Sequence, residues 1–286
     1  MRLGLAAGLG AAVAGAGAAL WSRARWRAET RSLVTQLRGA AAAVQPGVGD
    51  LPGVPAPVQR YLRAVLGPDA SPVAGATLTQ RGEFLVSPRS NRWRPFSAVE
   101  HFTARPPGFV WDASIALAPG LSILVRDGFV AGKGSMAASL LGCIRLVSVE
   151  GTPALSVAAL QRFLAEAVWL PAALLPRDGL AWSLLDDASA RATMTAGGVA
   201  ASVDFHFGDD GLVDRIFVPD RPRDVGGGRT VPTPWQGRFH RYQRVGGYRL
   251  PLTGEVEWIL PGGPQPYWRG EITGVELQPV SRATGA

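Results

Sequence analysis

The feature that most limits what this chain can become is its punctuation. From Val73 onward, apolar runs of strand length are cut at short intervals by Gly, Pro, Asn and Asp. Such residues supply the dihedral angles of tight turns, and apolar runs between them read as strands. The runs fall at 76–86, 92–103, 109–117, 122–131 and 135–149, the last long enough for two strands. They resume at 180–185, 190–196, 199–207 and 212–218, and finish with a meander at 236–245, 248–260 and 267–277. Turns are predicted at Pro106-Pro107-Gly108, Pro119-Gly120, Gly132-Lys133-Gly134, Gly197-Gly198 and Asp209-Asp210-Gly211. One long helix interrupts the series, with Ser156 as N-cap and an apolar stripe of Leu160, Phe163, Leu164, Ala167 and Val168 running to Trp169. Consecutive strands joined by short turns make an antiparallel meander, and a sheet this long has to curl or close. The expected fold is therefore mainly β (α+β): a curved half-barrel or barrel-like sheet with one central packed helix.

Ahead of this body, Leu3 to Trp21 carries no charge and is long enough to cross a bilayer as a helix. Leu3, Leu5, Leu9, Val13 and Leu20 supply nearly all of its hydrophobicity. A cleaved signal peptide is the rival reading, with Ala14-Gly15-Ala16 as cleavage site. Arg23, Arg25 and Arg27 follow at once and favour an uncleaved single-pass anchor. The arginine excess after the segment points to a cytoplasmic body and the export-like start points the other way, so the side stays open. The expected organisation is an anchor or signal segment at 1–21, a juxtamembrane helix and Pro/Gly linker at 22–54, one β-rich domain at 55–279 and a flexible tail at 280–286. The domain opens on a short helix carrying Val58, Tyr61, Leu62, Val65 and Leu66 on one face.

Composition excludes several classes. A hydrophobic content of 47% with 18% charged residues rules out global disorder. The net charge of +7 rests almost wholly on arginine, Lys133 being the single lysine. Those arginines are scattered rather than clustered, so no nucleic-acid partner is expected. The one cysteine, Cys143, cannot form an intrachain disulfide, and its apolar run reads it as a small buried hydrophobe. The chain carries no Walker A loop, dinucleotide fingerprint, nucleophile elbow or H-E-x-x-H pair. No cofactor is therefore expected, and no metal, since no two histidines sit at ligand spacing on one element.

Strand alternation sorts the remaining polar residues by face. Asp204 and His206 lie opposite Val203, Phe205 and Phe207; Arg238, His240 and Tyr242 share a face; Glu255 and Glu257 lie opposite Val256 and Trp258; Tyr267, Arg269 and Glu271 lie opposite Trp268 and Ile272. Aligned, Asp204, His206, Arg238, His240, Glu255, Glu257, Arg269 and Glu271 would make one polar stripe. It reads either as an acid/base site or as a solvated outer face with cross-strand Arg–Glu pairs. Trp111, Trp169, Trp235, Trp258 and Trp268 read as core fillers or as the lining of a groove for an apolar ligand.

Several motifs carry a resemblance. Pro57-Val58-Gln59-Arg60-Tyr61-Leu62, Gln80-Arg81-Gly82-Glu83-Phe84, Pro107-Gly108-Phe109-Val110-Trp111-Asp112-Ala113 and Phe163 to Pro171 resemble a bacterial family of unknown function. Its most recognisable part runs from Pro232-Thr233-Pro234-Trp235 through Glu257-Trp258 to Pro266-Tyr267-Trp268-Arg269-Gly270. The resemblance implies no activity; its members look like single-pass or exported proteins. In shape alone, the expected sheet is similar to lipoprotein-carrier half-barrels. Three functions are compatible with these features: a membrane-anchored module binding a lipid-like ligand, an enzyme using the Glu/His/Arg face, or a structural or partner-binding envelope protein.

Overall fold

The computed structural model describes residues 2–47, 49, 51–87 and 91–279, with side chains of the first helix described at Gly17 and from Leu20 onward. The expected tail at 280–286 lies outside the described residues. Two helices, α1 (Arg2–Gly39) and α2 (Ala56–Val65), precede β1 (Gly75–Ser87), β2 (Arg92–Thr103), β3 (Gly108–Ala118), β4 (Leu121–Val130), β5 (Lys133–Leu140) and β6 (Ile144–Glu150). After α3 (Pro153–Glu166) come β7 (Leu180–Asp186), β8 (Ser189–Ala196), β9 (Val199–Phe207), β10 (Val213–Asp224), β11 (Thr230–Val245), β12 (Tyr248–Leu260) and β13 (Gly263–Gln278).

Among the described residues the strands form one sheet of 13, ordered β6-β5-β4-β3-β2-β1-β13-β12-β11-β10-β9-β8-β7. Every neighbouring pair is antiparallel, as short turns dictate. The chain works outward from β1 to the β6 edge, crosses through α3 to the opposite edge, and winds back to close β13 against β1. Edges β6 and β7 do not pair, so the sheet is an open curved one. It nevertheless curls far enough for the β4–β5 turn to touch the β8–β9 turn. A Cβ on Gly132 would stand 2.7 Å from the Cα of Gly197, and both residues have positive φ, so the contact demands glycine twice.

Helix α3 lies inside the curl. Thr152 caps it by accepting from the Leu155 backbone N–H, and Pro153 occupies the first turn, where a missing donor costs nothing. The expected cap, Ser156, sits one turn in and instead accepts from the Gly134 N–H at 3.0 Å, tying the helix to β5. Leu160, Phe163 and Leu164 are fully buried against the sheet, and the short 3-10 turns at Ala167–Trp169 and Pro171–Leu174 continue the filling. Helix α2 buries Val58, Tyr61, Leu62 and Val65 in the same core.

Helix α1 packs on the other side of the sheet. Its Val34 and Leu37 meet Val110 and Val130, which point away from α3. Asp112 accepts from Trp26 Nε1 at 2.9 Å and from the Thr30 hydroxyl at 3.0 Å, while Arg126 donates to the Trp26 carbonyl and to Glu29. The Leu141–Gly142 turn rests against the backbone of Ser22 and Arg23.

Among the described residues no helix is long and apolar enough to cross a membrane. The side chains of most of the expected anchor, residues 3–16, 18 and 19, lie outside the described residues. Two expectations are corrected. Cys143 is exposed rather than buried, because it falls in the β5–β6 turn and not within a strand. Prolines 232 and 234 lie inside β11, which starts at Thr230, six residues before the predicted strand.

Candidate functional site

The inner face of the sheet carries a polar cluster that is otherwise surrounded by apolar side chains. Gln80, Glu100, Trp111 and Asp127 come from β1 to β4 on the same register face as Leu78, Phe102, Phe109 and Phe129, and Arg162 and Glu166 come from the facing side of α3. Glu100 is 0% exposed. It accepts from Gln80 Nε2 at 2.6 Å and from Arg162 Nη2 at 3.2 Å, and Gln80 in turn accepts from Trp111 Nε1 at 2.8 Å. Arg162 also reaches Asp127 at 2.7 Å and both Glu166 oxygens at 3.0 Å, with its guanidinium 5.0 Å from the Phe109 and Trp111 rings. Three carboxyl groups thus share one guanidinium.

Burial, and next the charge of Glu166, push the Glu100 carboxyl well above the usual range. Glu166 is raised too, by burial, against the pull of Arg162. The two acids compete for ionisation beside one cation, so a proton is retained in the pair at pH values where free carboxylates have lost theirs. Such a pair can hold or pass a proton, and it pins α3 to β2, β3 and β4.

A second inner cluster lies on β10, β11, β12 and β13, of which β10 packs against the first half of α3. Arg221 donates to the Ala158 carbonyl at 2.6 Å and lies 4.5 Å from the Trp235 ring. Trp235 pairs across the strands with Trp258 and donates through Nε1 to the Tyr267 hydroxyl at 2.9 Å. Tyr267 stacks on Trp258 with centroids 6.0 Å apart. The expected placement of Tyr267 on the polar face is overturned here. A register shift between Val256 and Glu257 turns it inward, on the same side as Trp268.

The polar stripe expected from alternation does form, on the face away from α3. Cross-strand pairing sets His206 beside Arg215, Arg215 beside Arg238, Arg238 beside Glu255, and Glu255 beside Arg269. Asp204 pairs with Arg191 at 2.6 Å, Gln236 donates to Glu257, Arg269 to Glu83, and both Arg81 and Arg241 to Glu271. His240, Glu255, Arg269 and Glu271 border one shallow depression of about 560 Å³ together with Arg81 and Glu83. Asp204, His206, Arg238 and Glu257 lie outside it. Burial, then Arg215, lowers the His206 pKa. Among the described residues no group of three or more His, Cys, Asp or Glu is arranged to hold a metal ion. Of the tryptophans, Trp111, Trp169, Trp235 and Trp268 are buried and Trp258 is half-buried.

Sequence reasoning passed over the inner residues, although a signal for them exists. Glu100 between Ala98 and Phe102, and Asp127 between Val125 and Phe129, occupy the apolar parity of their strands. A charge on that parity has to be buried and partnered. Arg221 gave no such signal, because the irregularity between Val218 and Arg221 breaks the alternation just before it.

A model of a family of unknown function, DUF6920, matches residues 52–277. No curated protein matches the chain. Among solved structures, the fold is similar to the crystal structure of a LolA superfamily protein from Nitrosomonas europaea, with a TM-score of 0.38 and 10% identity, over 79% of this chain and 93% of that one.

Proposed function

From the premise that the chain belongs to the DUF6920 family of unknown function, we propose that it is a membrane-associated module whose curved sheet holds an apolar or amphipathic ligand. One observation carries this reading. Where α3 does not cover the sheet, side chains in the inward register stay open: Met136, Ile144, Val147 and Val149 are 37%, 60%, 37% and 43% exposed. A sheet whose inner face is apolar and incompletely filled is a cradle for a hydrocarbon, since burying such surface gives about 25 cal/mol per Å². The association with the membrane is supported by Leu20 and Trp21, 69% and 65% exposed beside Arg23, Arg25 and Arg27, a pairing suited to the headgroup zone.

Native mass spectrometry of the purified chain, with extraction and identification of co-purified lipid, tests the proposal. Recovery of stoichiometric lipid that is lost in a Val147→Asp, Val149→Asp variant is the expected result. Repeated recovery of empty protein, with no binding across a lipid panel, would overturn it.

The outer depression supports a second reading, an enzyme using Glu255 and His240. Neither side chain has a hydrogen-bond or ion-pair partner among the described residues, and both open on that depression. Loss of a detected hydrolytic activity in Glu255→Gln would favour this reading, and full retention would end it.

A further inference from the structure

Arg221 is 8% exposed, and its Nε–H is buried without a hydrogen-bond partner among the described residues. It makes no ion pair there either, and the acids of the neighbouring cluster, Glu100, Asp127 and Glu166, are held by Arg162. Two positions on, Arg223 spends only its Nε, on the Thr233 hydroxyl at 3.2 Å, and sets its guanidinium 6.0 Å from the Trp258 ring. The stretch with the strongest family resemblance, Thr233-Pro234-Trp235 with Trp258 and Tyr267, thus builds an aromatic wall under two arginines that make no ion pair among the described residues.

Burying a charge is costly unless it is paired, and a carboxyl or amine in this position would relieve the cost by neutralising itself. Arginine does not shed its proton. What completes the pair must accept hydrogen bonds, carry negative charge and tolerate aromatic walls. A carboxylate or phosphate meets all three demands, and guanidinium forks match its geometry. We propose that Arg221 and Arg223, over Trp235 and Trp258, bind the carboxylate or phosphate headgroup of an amphiphile. This rests on the ligand-cradle reading above and names the chemistry of its polar end. Burial lowers the pKa of Arg221, against the pull of Tyr267, Asp127 and Glu166.

Calorimetric titration of the full chain tests this with four probes below their micellar concentrations: dodecanoate, dodecyl phosphate, dodecanol and inorganic phosphate. The anionic amphiphiles should bind at least tenfold more tightly than dodecanol, inorganic phosphate should neither bind nor compete, and Arg221→Met should remove the preference. Replacing a buried unpaired charge by an apolar chain of similar length is well tolerated, so this variant should melt no lower than the parent. Should it fail to fold, Arg223→Gln must reduce the preference at least threefold. Equal binding of dodecanoate and dodecanol would overturn the anion site while leaving the cradle intact. Binding of no amphiphile would overturn the cradle, and the headgroup site with it. Inorganic phosphate competing as well as dodecyl phosphate would assign the site to a free oxyanion and overturn the amphiphile.

Discussion

At the scale of single residues, the most consequential group is Arg162. Among the described residues its guanidinium is the one cation within ion-pair distance of Glu100, Asp127 and Glu166. Removing one partner of a buried ion network leaves uncompensated charge and costs about 3–5 kcal/mol. Arg162→Met should therefore lower the urea midpoint severely, whereas Glu100→Gln should cost less, because the amide oxygen still accepts from Arg162 and the change removes a carboxyl whose charge burial disfavours. The pH dependence has a definite sign. Glu100 and Glu166 have folded pKa values above their unfolded ones, so the folded state binds more protons. Their contribution is complete below the ordinary glutamate range and is lost as pH rises through the raised folded values. Relative to Glu100→Gln, the parent should lose melting temperature as pH is raised from that range; an identical pH profile in the variant would refute the assignment. The residues of this cluster were legible only in part. Parity marked Glu100 and Asp127 as misplaced charges, but their common partner comes from a helix far along the chain, which no local pattern relates to them.

At the scale of elements, α1 is the one whose attachment can be tested in isolation. It is held on the outer face by the Asp112, Trp26, Thr30 and Arg126 network and by Val34 and Leu37. Asp112→Ala strands the Trp26 indole N–H, while the Thr30 hydroxyl keeps the Trp26 carbonyl as acceptor, and should cost about 1–3 kcal/mol. The loss should be local, seen as faster hydrogen exchange across residues 22–38 with the sheet unchanged; uniform acceleration throughout would show that α1 is part of the cooperative core. Near the helix C-terminus, Arg38 donates toward His101 at 3.1 Å. Burial, then the Arg38 charge, depresses His101 to about 4. A neutral histidine here contributes stability above its ordinary value of about 6.5 that is lost as pH falls toward 4. The strands themselves were readable because period-two alternation and Gly/Pro turns are local. The start of β11 at Thr230 lies six residues before the predicted strand. Pro232 is tolerated because it stands opposite Pro222 in the β10–β11 ladder, where two missing donors face each other.

At the scale of the whole molecule, the sheet has an unpaired edge, β6, that is exposed along its length and rich in Ile144, Leu146, Val147 and Val149. Such an edge needs cover, and its β5–β6 turn meets α1 beside the arginine-flanked Trp21. The full chain should therefore float with vesicles containing anionic lipid at low salt, and a chain lacking residues 1–40 should float at least fivefold less; equal flotation would remove α1 from the interaction. The sequence by itself determined the class of fold, the antiparallel order of neighbours and the presence of one helix inside a curved sheet. Those follow from alternation, turn residues and chain continuity, all of which act over a few residues. Parity also sorted the polar residues of each strand onto one face, Tyr267 excepted, but left open whether those faces align and which side of the sheet they occupy. Only the tertiary structure decided which inward residues meet. The acids of β2 and β4 find Arg162 across the curl, and Arg221 and Tyr267 turn inward at irregularities that reset the parity. Those pairings depend on how far thirteen strands coil and where α3 lies within them, which is a property of the packed whole.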